Sequence, residues 1–357
     1  MKRMLLCFPV ILFFLSTEAK IWRVNNNIGV AADFTNVNSA VNNASVLNGD
    51  TIHVEPSATI YTDVTLSKRL VFIGNGYFLS GAGANAGLQY NTESSTITFI
   101  NFYSGSEGSE FYGISFVSPY SYAFGNQIGG TSLNLLFEKC YLYNPYFFAG
   151  VSSEYRDLTF RKCYLVTVGI FQGNPSILEN IVFENNLLHG FYGSFNVVAT
   201  DIASSNNIII RNNTLHTGGT LNATKAYIAN NLINSGSCSF NNCVVENNIF
   251  SAAQTGITVG PLSSNGNNLI NVSWSSLFVV SGSSDGSYQL GVGSPAIGGG
   301  VDISGYKPDC GAFGGPDPYK LSGIPAVPSI YALSLGTSSV PVATPSVTAT
   351  ISTRNNN

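Results

Sequence analysis

The sequence predicts an all-β fold, a parallel β-helix of about ten coils with a short N-terminal capping helix. Three observations predict it. Paired turn residues recur inside apolar runs, the composition is poor in charge and rich in small and amide residues, and the segments at both ends break the period.

The recurrence carries most weight. LLFEKCYLY (135–143), LTFRKCYLV (158–166), IVFENNLLH (181–189), IIIRNNTLH (208–216), AYIANNLIN (226–234) and CVVENNIFS (243–251) align without gaps. Their first turn residues are Lys139, Lys162, Asn185, Asn212, Asn230 and Asn247, at steps of 23, 23, 27, 18 and 17 residues. A weaker copy follows at Asn267, and VFIGNGYF (71–78) and FYGISF (111–116) read as degenerate copies upstream. A period near 20 with variable insertions suits a leucine-rich repeat or a β-helix. Here β-branched and aromatic runs flank the turn pair on both sides, with no leucine ladder and helical return. Coils of about three strands each are therefore expected.

A sharp bend between strands needs positive φ, which Asn tolerates better than other residues bearing a side chain. Coils stack about 4.8 Å apart, so equivalent Asn residues lie above one another. Their amides then donate in one direction and accept from the other, and burial leaves them satisfied. The residue before the turn alternates in sign: Glu138, Arg161, Glu184, Arg211, then Ala229 and Glu246. Such cross-strand pairs contribute roughly 0.2–1 kcal/mol each and resist register slip. Glu138 and Glu184 are two coils apart with Arg161 between them. They read as this ladder, not as an acid–base pair.

Composition limits the function. Charged residues make up 10% of 357 and the formal net charge is −4, so no basic footprint for nucleic acid exists. Lys2 and Arg3 precede an apolar stretch at 4–15, and 16–19 offers a cleavage site. This pattern predicts a signal peptide over 1–19 and a secreted or cell-surface protein. No later run is long enough to span a membrane. Beyond Cys7 there are five cysteines; Cys238 and Cys243 are the disulfide pair favoured by proximity, and Cys140 and Cys163 read as small buried residues.

The domain is expected to cover 20–315. Phe34, Val37, Val41 and Ala44 repeat at helical spacing, predicting a cap over 34–44 with Asp33 or Thr35 as N-cap. The segment 294–315 is expected to close the other end. Residues 316–357 form a Pro/Ser/Thr-rich tail or covering strands, with strand-like alternation in VTATIST (347–353).

These residues carry a resemblance. The helix, GDTIHV (49–54) and LVFIGNG (70–76) look like the start of secreted right-handed parallel β-helix proteins of the pectin-lyase-like superfamily. SPAI…DCGAFG (294–314) resembles the closing segment of bacterial surface β-helix proteins, with Gly298 in place of an acidic residue and Cys310 in place of an aliphatic one. The resemblance implies a right-handed coil. It leaves activity open, because the fold hosts lyases, hydrolases, adhesins and inert stalks. The NTD, DD, GHG and RIK motifs of the superfamily's polygalacturonase-type hydrolases are missing.

In that superfamily sugars lie on a strand face flanked by loops. The matching loops are 150–157, 169–175, 190–201 and 218–225. They offer Arg156, Asp157, Asp201 and Lys225 as an ionisable set for lyase or hydrolase chemistry. Tyr155, Gln172, Tyr192 and Asn196 are the accompanying binding residues. Solvated loop polarity is the competing reading. His189 and His216 each lie four residues after a turn residue, so they are expected to stack. Tyr143, Val166, Asn234 and Ser251 share their column and supply no acidic ligand, so no metal is assigned. The expectation is a monomeric, glycan-associated surface protein that binds a polysaccharide. The alternatives are a polysaccharide lyase or glycoside hydrolase, with Ca2+ only for a lyase, and a structural stalk or adhesin.

Overall fold

The computed structural model describes residues 19–118, 124–127, 132–145, 147–149, 154–166, 171, 175–190, 195–253, 255–279, 281–336 and 346–356. Of the predicted signal segment only Ala19 falls within this set. The described chain is mostly strand, arranged in long parallel sheets, and is compatible with a parallel β-helix. An eleven-stranded parallel sheet runs in chain order from Ile21–Val24 to Ser264–Gly266. A nine-stranded parallel sheet runs from Thr96–Ile97 to Leu269–Val272. Two four-stranded parallel sheets form the third side, one starting at Val64–Leu66 and the other at Phe195–Val197. In a typical coil the chain passes from Ile177–Glu184 through Leu187–Gly190 and Phe195–Val197, then starts again at Asn206–Arg211.

Inward residues meet their equivalents one coil away. Phe72, Phe111, Phe137, Phe160 and Phe183 stack nearly parallel, with successive ring centroids 4.7, 4.9, 5.2 and 5.0 Å apart. Ile210, Ile228 and Val245 continue the row in register. This apolar burial is the main source of stability.

The turn pair divides two tasks between its members. The first residue makes the bend: Lys139, Lys162, Asn185, Asn212, Asn230, Asn247 and Asn267 have φ between 53° and 58°. The second makes the ladder. Asn186 N and Nδ2 donate to Asn213 Oδ1, Asn213 to Asn231, Asn231 to Asn248 and Asn248 to Asn268, all at 2.8–3.0 Å. Cys163 and Cys140 extend the same column. Cys163 N donates to Asn186 Oδ1, and Cys140 N donates to Cys163 Sγ. Each thiol donates to a carbonyl as the Asn amides do, Cys163 Sγ to Phe137 O and Asn186 Nδ2 to Phe160 O.

A second bend column lies five residues upstream of the first. Asn134, Asp157, Asn180, Asn207, Lys225, Asn242 and Leu262 have φ between 46° and 62°. The alternating charge column forms as expected: Glu138 binds Arg161 at 2.5 Å and Glu184 binds Arg211 at 2.8 Å.

Four expectations change. The cap helix α1 is only Val37–Val41, and its N-cap is Asn36, whose side chain accepts from Ser39 N. Phe34 pairs with Val24 in a bridge, which holds Asp33 and Thr35 outside the helix. Cys238 and Cys243 are both free and buried, as are the other three described cysteines. Cys238 lies within Ser237–Asn241 of the third side, while Cys243 precedes Val244–Glu246 of the first sheet, with the Asn242 bend between them.

The segment 294–324 does not close the far end. It runs back along the bend column as a strap. Asn247 Nδ2 donates to Gly299 O, Val301 N to Asn230 Oδ1, Asn212 Nδ2 to Asp309 O, and Asn185 Nδ2 to Ala312 O and Gly314 O. Lys162 then pairs with Asp317. The strap ends near the first coils, where Tyr77 N donates to Ser322 O. Beyond it, Ser329–Leu335 and Ala349–Arg354 form an antiparallel pair.

Candidate binding cleft

The histidines stack as the sequence implies. His189 and His216 are register partners on adjacent strands of the nine-stranded sheet, with ring centroids 5.4 Å apart. They face outward on the coils whose bends, Asn185 and Asn212, hold Asp309, Ala312 and Gly314 of the strap. Trp274, in a short 3-10 turn after the last coil, lies 5.4 Å from His216. Trp274 packs edge-on to Phe278 at 4.9 Å, Phe278 to Tyr288 at 5.5 Å, and Tyr288 to His189 at 6.1 Å. Five rings therefore close a circuit. Together with Ser275, Val279 and Ser287 they line a cleft of about 470 Å³.

Charge is excluded from this lining. Burial lowers the pKa of His189, and burial followed by the neighbouring His189 lowers that of His216. Both imidazoles are neutral near pH 7, and each ring then offers one donor and one acceptor. Burial pushes the Tyr288 hydroxyl up to about 12, so it stays protonated, and it lies 2.5 Å from His189 Nδ1. The cleft combines apolar ring faces with hydroxyl and imidazole groups.

The strap is held behind this cleft by a buried carboxylate. Asp285 is fully buried and accepts from Asn85 Nδ2 at 2.7 Å, Ser322 N at 2.7 Å and Tyr319 Oη at 3.0 Å. Tyr319 Oη in turn lies 2.6 Å from Tyr77 Oη. Burial pushes both phenols well above their ordinary value.

Of the ionisable set from the loops, Asp201 and Lys225 come near each other, Lys225 adding to the causes that lower the Asp201 pKa, but the four do not form one cluster. Asp157 and Lys225 both occupy the second bend column, three coils apart, which is about 14 Å at the stacking rise. Asp157 accepts from Ser132 Oγ at 2.5 Å and Asn180 Nδ2 at 2.7 Å. Lys225 Nζ donates to Ala203 O. Arg156 pairs with Glu179 and with Glu154 on the strand surface. Asp201 organises its own turn, accepting from Ser204 N, and hydrogen bonds from Ser204 lower its pKa.

The binding residues scatter too. Tyr155 is a core residue with no exposure, packed 4.8 Å from Phe171. The strand Glu154–Arg161 starts earlier than the aligned repeat implies, and the bend at Asp157 resets its alternation and turns Tyr155 inward. Asn196 is exposed on the third side and accepts from Asn222 Nδ2. Gln172 and Tyr192 lie outside the described residues. No sequence pattern links Trp274, Phe278 and Tyr288 to the two histidines, because 58–99 residues separate them. The only local signal is the Trp-x3-Phe spacing directly after the last coil.

The chain matches no family model, no curated protein and no solved structure. The resemblance to the pectin-lyase-like superfamily rests on its quoted residues alone.

Proposed function

We propose that this chain is an exported, right-handed parallel β-helix protein that binds neutral glycans at the His189–Trp274–Tyr288 cleft. The single observation that carries the reading is the closed circuit of five rings around an uncharged cleft. Sugar rings present apolar C–H faces that pack on aromatic faces. Their hydroxyls match groups that both donate and accept, which neutral imidazole, Tyr and Ser hydroxyls provide. An anionic uronate would find no cation in this lining. A pocket with few polar groups fixed among aromatic walls is the usual form of a small-ligand site.

The test is titration of the full chain with neutral and uronate oligosaccharides, followed by tryptophan fluorescence. Trp22 and Trp274 are the two tryptophans, and Trp22 lies in the first strand. Saturable binding of neutral sugars that His216→Ala abolishes by fluorescence, and that Trp274→Ala abolishes by calorimetry, supports the proposal. A glycan array without a hit, together with attachment to whole cells, would replace it with an adhesin function.

A further inference from the structure

The two ends of the solenoid are built differently. At the first coils α1 buries Val37, Ala40 and Val41 into the core cluster beside Val24 and Ile52. At the far end the strap leaves sideways and covers no edge. Ile257–Val259, Ser264–Gly266 and Leu269–Val272 are each the outermost strand of their sheet. Leu269 and Ile270 are 45% and 60% exposed, and Leu262 in the bend column is 90% exposed. A recess of about 390 Å³, lined by Phe250, Ile257, Asn265 and Ile270 among others, opens at this end.

Proteins normally guard such edges with charge, proline or a bulge. No Asp, Glu, Lys, Arg or His occurs from 247 to 284. Pro261 falls between strands, outside all three edges. Asn271, with φ 58° beside a register shift, kinks the edge of the nine-stranded sheet. The edge of the eleven-stranded sheet stays regular. Ser264 N donates to Cys243 O and Gly266 O accepts from Asn247 N, both toward the preceding coil. By strand alternation, the N–H and C=O of Asn265 point out of the open edge.

We infer that this end face is an isologous dimer contact, in which the Ser264–Gly266 edge pairs antiparallel with the same edge of a second copy about a two-fold axis at Asn265. Three features select a second copy. A two-fold axis sets the residue that lies on it against its own copy, and the uncharged Asn265 does so without like-charge repulsion. One outward residue with a free N–H and C=O direction forms two equivalent bonds with itself in an antiparallel pair. Head-to-tail stacking into a filament is blocked, because α1 covers the other end. Leu269 and Ile270 lose water in the same contact.

Sedimentation of the full chain over a concentration series tests this. A monomer–dimer equilibrium is expected. Asn265→Pro removes the outward N–H at an edge position where proline is tolerated, and Ile270→Lys adds a like charge across the axis. Each is expected to abolish the dimer while circular dichroism and melting stay near wild type. Ile330→Lys, on the exposed tail hairpin, is expected to leave it intact. A monomer at every concentration, a dimer that survives both end-face substitutions, or open-ended growth would overturn the inference.

Discussion

Asn213 Oδ1 accepts two hydrogen bonds from Asn186, one from the backbone N–H at 2.9 Å and one from Nδ2 at 3.0 Å. Asn213 is fully buried, and its own Nδ2 donates to Phe183 O at 2.9 Å. One side chain therefore satisfies a donor pair and a carbonyl of the coil before it. Asn213→Ala leaves the buried Asn186 N–H without its acceptor and Phe183 O without this donor, while Asn186 Nδ2 keeps its bond to Phe160 O. Each buried unsatisfied group costs about 1–3 kcal/mol, so chemical denaturation is expected to show a loss of about 3 kcal/mol or more. A loss below about 1 kcal/mol would mean water replaces the ladder at that rung.

Asn185 separates the bend from the strap. Its φ is 53°, and its Nδ2 holds Ala312 O and Gly314 O. Asn185→Gly keeps the bend accessible and removes the clamp; Asn185→Ala removes the clamp and strains the bend by about 1–2 kcal/mol. The Ala variant is expected to be the less stable by that margin. Both are expected to be cut faster within 299–324 by a protease, with the coils still protected. Equal stability of the two variants would show that the bend relaxes.

How much of this was legible in the sequence depends on the length scale of the pattern. Period and charge alternation are local, so the Asn185 bend, the inward Phe183 and the Glu184–Arg211 pair were all readable. The second bend column was equally periodic, but its members are chemically mixed: Asp157 and Lys225 share it with four asparagines and Leu262. The loop polarity of Asp157 and Lys225 is therefore that of bend residues. The strap has no periodic signature. Its partners, such as Asn185 and Gly314, are 129 residues apart and obey no repeat. The aromatic wall of the cleft has the same origin.

Asp285 tests whether the buried network is what seats the strap. Its carboxylate accepts from Asn85, Tyr319 and the Ser322 backbone and has no cation partner in these bonds. Hydrogen bonds to a charged group are worth about 1.5–3 kcal/mol. Asp285→Ala is expected to destabilise by about 3 kcal/mol or more and to raise amide exchange around 319–323. Asp285→Asn turns an amide donor toward existing donors and is expected to fall between Ala and wild type. Wild-type exchange in Asp285→Ala would assign the strap's seating to the bend asparagines alone.

Acid sensitivity follows from the histidines. Burial is the largest cause lowering the pKa of His53, His189 and His216. In the unfolded chain each takes up a proton near pH 6.5. Below that value, and above the depressed folded values, the unfolded state binds more protons, so stability falls as pH drops through this window. Glu55 and Asp50, whose pKa values are lowered, lose their contributions only at more acidic pH. The melting temperature is therefore expected to fall between about pH 7 and pH 5. The double variant His189→Gln, His216→Gln is expected to show a shallower fall, with His53 responsible for the remainder. Glycan affinity should drop over the same range, because protonation removes the acceptor from each ring and sets two like charges on rings whose centroids are 5.4 Å apart. A wild-type slope retained in the double variant would assign the acid response to His53, on the second strand of the eleven-stranded sheet.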